Sequence, residues 1–458
     1  MKSSLEPLPG NKVKLSVNID EDEFDRNIDQ AFRKISREVR LPGFRAGKAP
    51  RKVLEARIGV GPAREQALRD SIPVYLARAV REHDVDLIAA PEVEITAGAE
   101  DGPVEFDATC DVRPDVTVPG YAGLRVELPS PDASDEEVET AARTELRRHG
   151  SLTDTDRPAA AGDYLTIDLA ATRDGEPVSG LNTEDWSYEL GQGWVAPDFD
   201  DTLTGASAGD TLEFTTMPSG TEEPADFVVT VTSVQELVLP TVDDDWVADN
   251  LGEFETVAAW HDDLRRRIST MKLNRARQEL VGRVTEALVG LADIEPPEPM
   301  VTSDLQRRVD GTVNQLQSQG ISMDQWFSAT GQDPATFIEQ LRGQSEQAAR
   351  ADLALRAVAA AESLEADDSD FDDEYRRLAV QMNEKPAKVR RAYEDNDLVP
   401  ELTGQIRKSK ALDWLLHHVE LTGPDGRPLD RDLILGHDHD DDHDHDHDHA
   451  DEPEETPA

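Results

Sequence analysis

Hydrophobic positions along the chain switch between two periods, and the switches mark out its parts. Val13, Leu15, Val17 and Ile19 alternate with polar residues, the pattern of a half-buried strand. Asp20 with Glu23 resembles a capping box at a helix start. Phe24, Ile28, Phe32, Ile35 and Val39 then recur at gaps of four, four, three and four, one face of an amphipathic helix. Pro42-Gly43 ends that helix, and Pro50 opens a short second one closed by Gly59. A third runs from Pro62 to about His83 through Pro73, and Val93–Ile95 and Val104–Ala108 read as strands. Residues 1–112 thus form a small α+β domain whose helical hairpin has its tip at Gly43–Lys48.

Residues 113–155 are an extended linker, with Leu124–Leu128 in it, followed by a helix from a Ser134/Glu137 capping box to about Gly150. Across 156–242 the period becomes two. Leu165, Ile167 and Leu169 alternate, as do Trp186, Tyr188 and Leu190, and Phe227–Val234 is rich in β-branched residues. That is a small β-domain. From 243 to 435 the pattern is helical almost throughout, starting with a run from Phe254 to Leu291 and broken at Asp293–Pro297. Residues 436–458 are an acidic tail of nearly alternating His and Asp, a composition that predicts disorder.

At 458 residues and 37% apolar, the chain is too long for one core, so several domains are expected. The single cysteine, Cys110, allows no internal disulfide and agrees with a cytoplasmic location. No 18-residue apolar run and no signal-like start are present, which argues against a membrane span and against secretion by that route. The formal charge of −49 opposes general nucleic-acid binding, DNA included. Against it stands one basic island. Between Arg33 and Arg57 there are nine Lys/Arg and two acids, a local +7. Inside the island, Leu41–Pro50 holds two prolines and two glycines around Phe44, Arg45 and Lys48. An aromatic ring on such a loop forgoes roughly 1.5–3 kcal/mol of burial, which calls for a partner, and the basic flanks make that partner anionic.

The pattern Gly43-Phe44-Arg45-x-Gly47-Lys48-x-Pro50 resembles the ribosome-docking signature of the trigger factor family, and the resemblance extends over roughly 1–436. It implies a multi-domain α+β architecture. The parts would be an N-terminal α+β ribosome-binding domain (1–112), a linker and helix packing with the C-terminal domain (113–155), an FKBP-like peptidyl-prolyl isomerase β-domain (156–242) and an all-α chaperone domain (243–435). The implied activity is ATP-independent chaperoning at the tunnel exit of the large ribosomal subunit, where nascent and unfolded polypeptides are held open for folding and export. A homodimer away from the ribosome is compatible with it. Gly43, Phe44, Arg45, Gly47 and Lys48 would be the docking residues. Ala46 stands where a further basic residue is common in the family, so slightly weaker docking is expected.

No Walker loop, GxGxxG, CxxC or HExxH motif occurs, and no cofactor is required. The resemblance places the isomerase pocket at Leu169, Val178, Ser179, Trp186, Val195, Ala196, Phe199 and Val229, with Trp186 as its floor. Trp186, Val195 and Phe199 keep the family's character. Leu169, Val178 and Val229 stand where rings are usual, so weak isomerase activity is expected. Met323, Trp326, Phe327 and Phe337 are candidates for facing substrate, with core as the competing role. His417-His418 read as partners of a helix C-terminus, and Asp243–Asp245 and Asp372-Asp373 as solvated faces. In the tail, His437, His439, His443, His445, His447 and His449 suit weak Ni²⁺ or Zn²⁺ binding. The competing reading of the whole is a freestanding FKBP-type isomerase with a metal-binding His-rich tail.

Overall fold

The computed structural model describes residues 1–38, 44, 49–221 and 223–436. The chain divides into two compact units: Met1–Leu128 with Glu279–Leu433, and Pro129–Gln278 with the residues from Ile434 on.

The first unit opens on a hairpin of β1 (Lys2–Leu8) and β2 (Lys12–Ile19), turned at Gly10 and Asn11, both at positive φ. The hydrophobic pattern does not reveal β1, because it is mostly polar and contains Pro7. It lies at the sheet edge, where a missing N–H is tolerated. Next come α1 (Glu21–Glu38), α2 (Arg51–Ile58) and α3 (Gly61–Glu82), which continues through Pro73. With β3 (Glu92–Ala97) and β4 (Val104–Asp111) the strands form an antiparallel sheet in the order β1-β2-β4-β3. Its apolar face, Leu15, Val17, Ile19, Phe106, Ala108 and Cys110, shares one core with Phe24, Ile28 and Phe32 of α1 and Leu54 of α2. Buried Arg64 donates to the carbonyls of Gly98 and Gly102 and lies over the Phe24 ring, 5.0 Å from its centroid. Gly98, at φ +80°, has no room for a Cβ, which would meet the Pro103 carbonyl oxygen at 2.1 Å. The short β5 (Arg125–Glu127) follows.

In the second unit, α4 (Asp135–Leu146) starts at the expected Ser134/Glu137 capping box. A five-stranded antiparallel sheet then forms from β6 (Ser151–Asp154), β7 (Tyr164–Arg173), β8 (Glu176–Glu189), β9 (Thr211–Thr216) and β10 (Ala225–Val238), with the short helix α5 (Phe199–Leu203). β6, read from sequence as the end of the linker, pairs with the C-terminal part of β10. Four residues with one apolar side chain carry no readable alternation. α6 (Asp244–Asn250) and the N-terminal half of α7 (Val257–Val289) pack on α4 through Val138, Val247, Trp260 and Leu264.

The rest of the first unit is helical: α8 (Glu298–Ser318), α9 (Met323–Thr330), α10 (Pro334–Ala361), α11 (Asp368–Met382), α12 (Pro386–Asp395) and α13 (Val399–His418). α10 packs against both α8 and α13. β11 (Glu420–Thr422) then pairs in parallel with β5, Leu421 opposite Val126, and α14 (Arg431–Leu435) follows. The fold is therefore mixed α and β with a helical C-terminal region, as the pattern implied.

Candidate functional site

Two places carry the sequence-derived candidates. The first is the α1–α2 hairpin. Phe32 and Leu54 are buried at its base, and Arg51 lies over the Phe32 ring at 5.4 Å. Arg51 also donates to Asp25 (2.7 Å), Asp29 (2.6 Å) and Glu55 (2.6 Å), a clamp that raises its own pKa and lowers that of Asp25. Lys34 is held by Asp70 at 2.9 Å. Part of the basic island is thus used up in holding the helices together. A charge count along the sequence overlooks Asp25, Asp29 and Asp70, which the fold brings back onto the island from outside it. Arg33, Arg37, Lys52 and Arg57 are exposed and have no ion pair among the described residues. Phe44 is 42% exposed. Gly43, Arg45, Gly47 and Lys48 lie outside the described residues.

The second place is one end of the β-sheet in the other unit. Leu169 on β7 and Trp186 on β8 lie on the same sheet face, since Ile167, opposite Trp186, is two residues from Leu169. Leu169, Val195, Ala196, Phe199 and Val229 are all buried in one core, with Trp186 and Val178 packed on it half-buried. Ser179 is exposed and stands apart from this set. The central ring is Tyr188, which the resemblance did not single out. It lies 5.0 Å from Trp186, 5.3 Å from Phe199 and 6.5 Å from Trp194. Its hydroxyl donates to Asp200, whose second oxygen accepts from Gly193 N–H at 2.6 Å. Burial first, and then the hydrogen bond to Asp200, push the phenol's pKa upward. The Trp186-x-Tyr188-x-Leu190 alternation already placed this ring on the inner face; its bond to Asp200 has no signal in the sequence. Phe199 also meets Phe214 and Phe227, themselves stacked at 5.5 Å. Phe214 of β9 and Phe227 of β10 thus add rings to the same core that holds Leu169 and Val229. Ser219 N–H donates to the Val195 carbonyl at 2.8 Å and ties the 217–219 stretch to the rim.

The remaining candidates are dispersed. Trp326, Phe327 and Phe337 form a three-ring cluster with centroids 5.1–5.7 Å apart. Phe337 is buried, and Met323, Trp326 and Phe327 are half-buried. On α11, by contrast, Val380 is 84% exposed. Asp243 and Asp244, read as solvated, act as helix caps: Asp243 accepts from Trp246 N–H and Asp244 from Val257 N–H. His417 and His418 sit at the C-terminus of α13, each ring Nδ1 within hydrogen-bond reach of the carbonyl four residues back. Among the described residues no cluster of His, Cys, Asp and Glu could hold a metal. His437, His439, His443, His445, His447 and His449 lie outside them. No described helix is long and apolar enough to cross a membrane.

Two sequence models of one family match the chain. The model described as "Bacterial trigger factor protein (TF)" covers residues 1–144, and that described as "Bacterial trigger factor protein (TF) C-terminus" covers residues 256–417. Among curated proteins, the trigger factor of Saccharopolyspora erythraea is 32% identical over 439 residues, 95% of this chain and 94% of that protein. The trigger factor of a Nocardioides species is 32% identical over 417 residues, 90% and 88% of the two chains. A solved structure described as "Promiscuous Substrate Recognition in Folding and Assembly Activities of the Trigger Factor Chaperone" covers 91% of this chain and 99% of its own, at 22% identity and a TM-score of 0.44. Matches that run through both terminal regions do not favour a freestanding isomerase.

Proposed function

The chain belongs to the trigger factor family, and from that premise we propose that it docks at the tunnel exit of the large ribosomal subunit and holds nascent and unfolded chains without ATP. The observation that carries the docking reading is Phe44, an aromatic ring left 42% exposed between two helices whose own interface is closed by Phe32, Leu54 and Arg51. Phe44 would fill an apolar spot, and Arg45 and Lys48 would pair with acidic side chains or RNA phosphate. Clients would be held by many weak apolar contacts, which allow release without a nucleotide. The β-domain at 156–242 is read as an FKBP-like module that binds proline-bearing segments and isomerises them weakly. The His/Asp tail, outside the described residues, is read as a weak, multi-site binder of Ni²⁺ or Zn²⁺ with no part in chaperoning.

Co-sedimentation with large subunits tests the docking. The triple variant Phe44→Ala, Arg45→Ala, Lys48→Ala should fail to pellet with them while keeping the parent's circular dichroism. Binding of the parent should weaken with salt, since exposed charges are screened beyond about 8–10 Å near physiological ionic strength. A triple variant that still co-sediments as the parent does would overturn the reading.

A further inference from the structure

One face of α1 carries a row of cations without partners. Arg26, Arg33 and Arg37 are exposed, and no ion pair holds any of them among the described residues. Arg33 and Arg37 follow Arg26 by about two and about three helical turns, so the three share one side of the helix. Acids of the same helix do not neutralise the row. Asp25 and Asp29 are both taken by Arg51. Asp22 and Glu38, near its two ends, leave a surplus to which exposed Lys52 and Arg57 of α2 add.

The opposite charge is concentrated in residues 437–458, which contain eleven Asp/Glu, six His and no Lys or Arg, a formal charge of −11. From 438 to 448 every even position is Asp, and every odd one is His except Asp441. Side chains of an extended segment alternate sides, so that order offers carboxylates on one side, about 6.6 Å apart, and imidazoles on the other. The rise from Arg33 to Arg37 is about 6 Å, a near match to that carboxylate spacing. Drawn out, the tail would reach up to about 70 Å from Gly436. A tethered polyanion meets such a row at an effective concentration far above that of a free one.

We propose that the acidic tail occupies the Arg26–Arg33–Arg37 face of its own chain through the even-numbered aspartates and competes there with the anionic partner of the basic island. The imidazoles face away and stay free. The contact restrains docking and leaves the holding of clients untouched. A denser polyanion such as ribosomal RNA displaces the tail, whereas a short or sparsely charged one does not. The competition rests on the docking reading; the tail's seat on α1 does not.

The test uses a fluorescein-labelled peptide of residues 437–458, the full chain, and the chain truncated after Gly436. Fluorescence anisotropy at low salt should show the truncated chain binding the peptide at least tenfold tighter than the full chain, whose own tail fills the site, and both signals should fade as salt rises. A peptide with Asn and Gln in place of its acids should not bind. In the truncated chain, Arg26→Gln, Arg33→Gln, Arg37→Gln together should weaken peptide binding at least tenfold with circular dichroism unchanged, whereas the control set Arg266→Gln, Arg267→Gln, Arg391→Gln should not. Truncation should also raise co-sedimentation with large ribosomal subunits several-fold at low salt. No peptide binding by the truncated chain overturns the proposal. Equal binding by full and truncated chains overturns occupancy by the chain's own tail, and binding that survives the triple variant overturns its placement on α1. Peptide binding as expected, with neither chain pelleting with subunits, supports the seat and overturns the docking reading instead.

Discussion

Arg113 Nη1 lies 2.7 Å from a carboxylate oxygen of Asp352, joining the segment after β4 to the middle of α10 across 239 positions of sequence. The same carboxylate is held by Lys408 of α13 and by Arg356 one turn along its own helix at 3.0 Å. Asp352 thus links three parts of the first unit.

Burial of Asp352 opposes its charge, but Lys408, Arg356 and Arg113 outweigh that, and its pKa is lowered. A lowered carboxylate stabilises the fold above its unfolded pKa of about 3.9, and that contribution is lost as pH falls toward the folded value. Asp352→Asn should cost about 2–3 kcal/mol at pH 7, less than for a fully buried pair because the side chain is partly exposed, since three cations are left facing one another. Urea unfolding followed from pH 7 into the acid range checks this: the parent and the variant should differ at pH 7, and the difference should shrink progressively once the pH falls below the unfolded value.

The α4 cap makes a second prediction. Glu137 accepts from Ser134 N–H at 2.7 Å and from Lys272 of α7 at 2.9 Å. The Lys272 bond first, then the Ser134 backbone bond, bring its pKa down to about 2. Ser134→Ala should destabilise α4 by about 1 kcal/mol. Glu137→Gln should loosen the α4–α7 attachment at neutral pH, and its effect should shrink as pH falls below the unfolded value and be about half gone near pH 2, the folded value. Hydrogen exchange of the α4 amides at the two pH values would show it.

How much of this was legible in the sequence depended on how local the cause was. Phe24, Ile28 and Phe32 revealed α1 because a helix buries its own period. Trp186, Tyr188 and Leu190 revealed the inner face of β8 for the same reason. β1, β6 and β11 stayed hidden, because each is short or polar and exists only through a partner. For β11 that partner, β5, lies 295 positions back, as in the register Leu421 opposite Val126. The basic island was visible as charge, but Arg51 had already been taken by Asp25 and Asp29, a neutralisation that only the packing of α1 on α2 produces. At the candidate pocket, the aliphatic substitutions were legible residue by residue, whereas the rings of Phe214 and Phe227 reach the same core from strands whose pairing the pattern does not specify.

A third prediction concerns the tail. Neutral imidazoles spaced by aspartates are suitable ligands for Ni²⁺ or Zn²⁺, at a cost in ordering entropy. Calorimetry should give weak, multi-site uptake above about pH 6.5, where the imidazoles lose their protons, and little below it. The chain truncated after Gly436 should take up almost none and should suppress aggregation of an unfolded client as well as the parent does. Equal uptake with and without the tail would assign the binding elsewhere.

The last prediction concerns isomerisation. Rotation about an X–Pro bond faces a barrier of roughly 18–20 kcal/mol, and a pocket of this kind lowers it by desolvating the amide, with no nucleophile and no metal. Here Leu169, Val178 and Val229 stand where the resemblance leads one to expect rings, so contact area is lost and water is less well excluded. Tyr188 is fully buried beside Trp186 and Phe199, with its hydroxyl engaged by Asp200, so it supports the core and offers no surface in place of the missing rings. Each 1.4 kcal/mol of lost transition-state stabilisation costs about tenfold in rate. Proline-limited refolding of a model protein should therefore be accelerated only feebly, well below an ordinary FKBP-type enzyme. Trp186→Ala should abolish what remains. Tyr188→Phe should leave the rate within about threefold, because it removes a hydrogen bond and keeps the ring, although it should destabilise the domain by about 1–3 kcal/mol. Acceleration comparable to an ordinary enzyme and lost on Trp186→Ala would mean that Tyr188, Phe199, Phe214 and Phe227 together make a full catalytic pocket despite the three aliphatic positions.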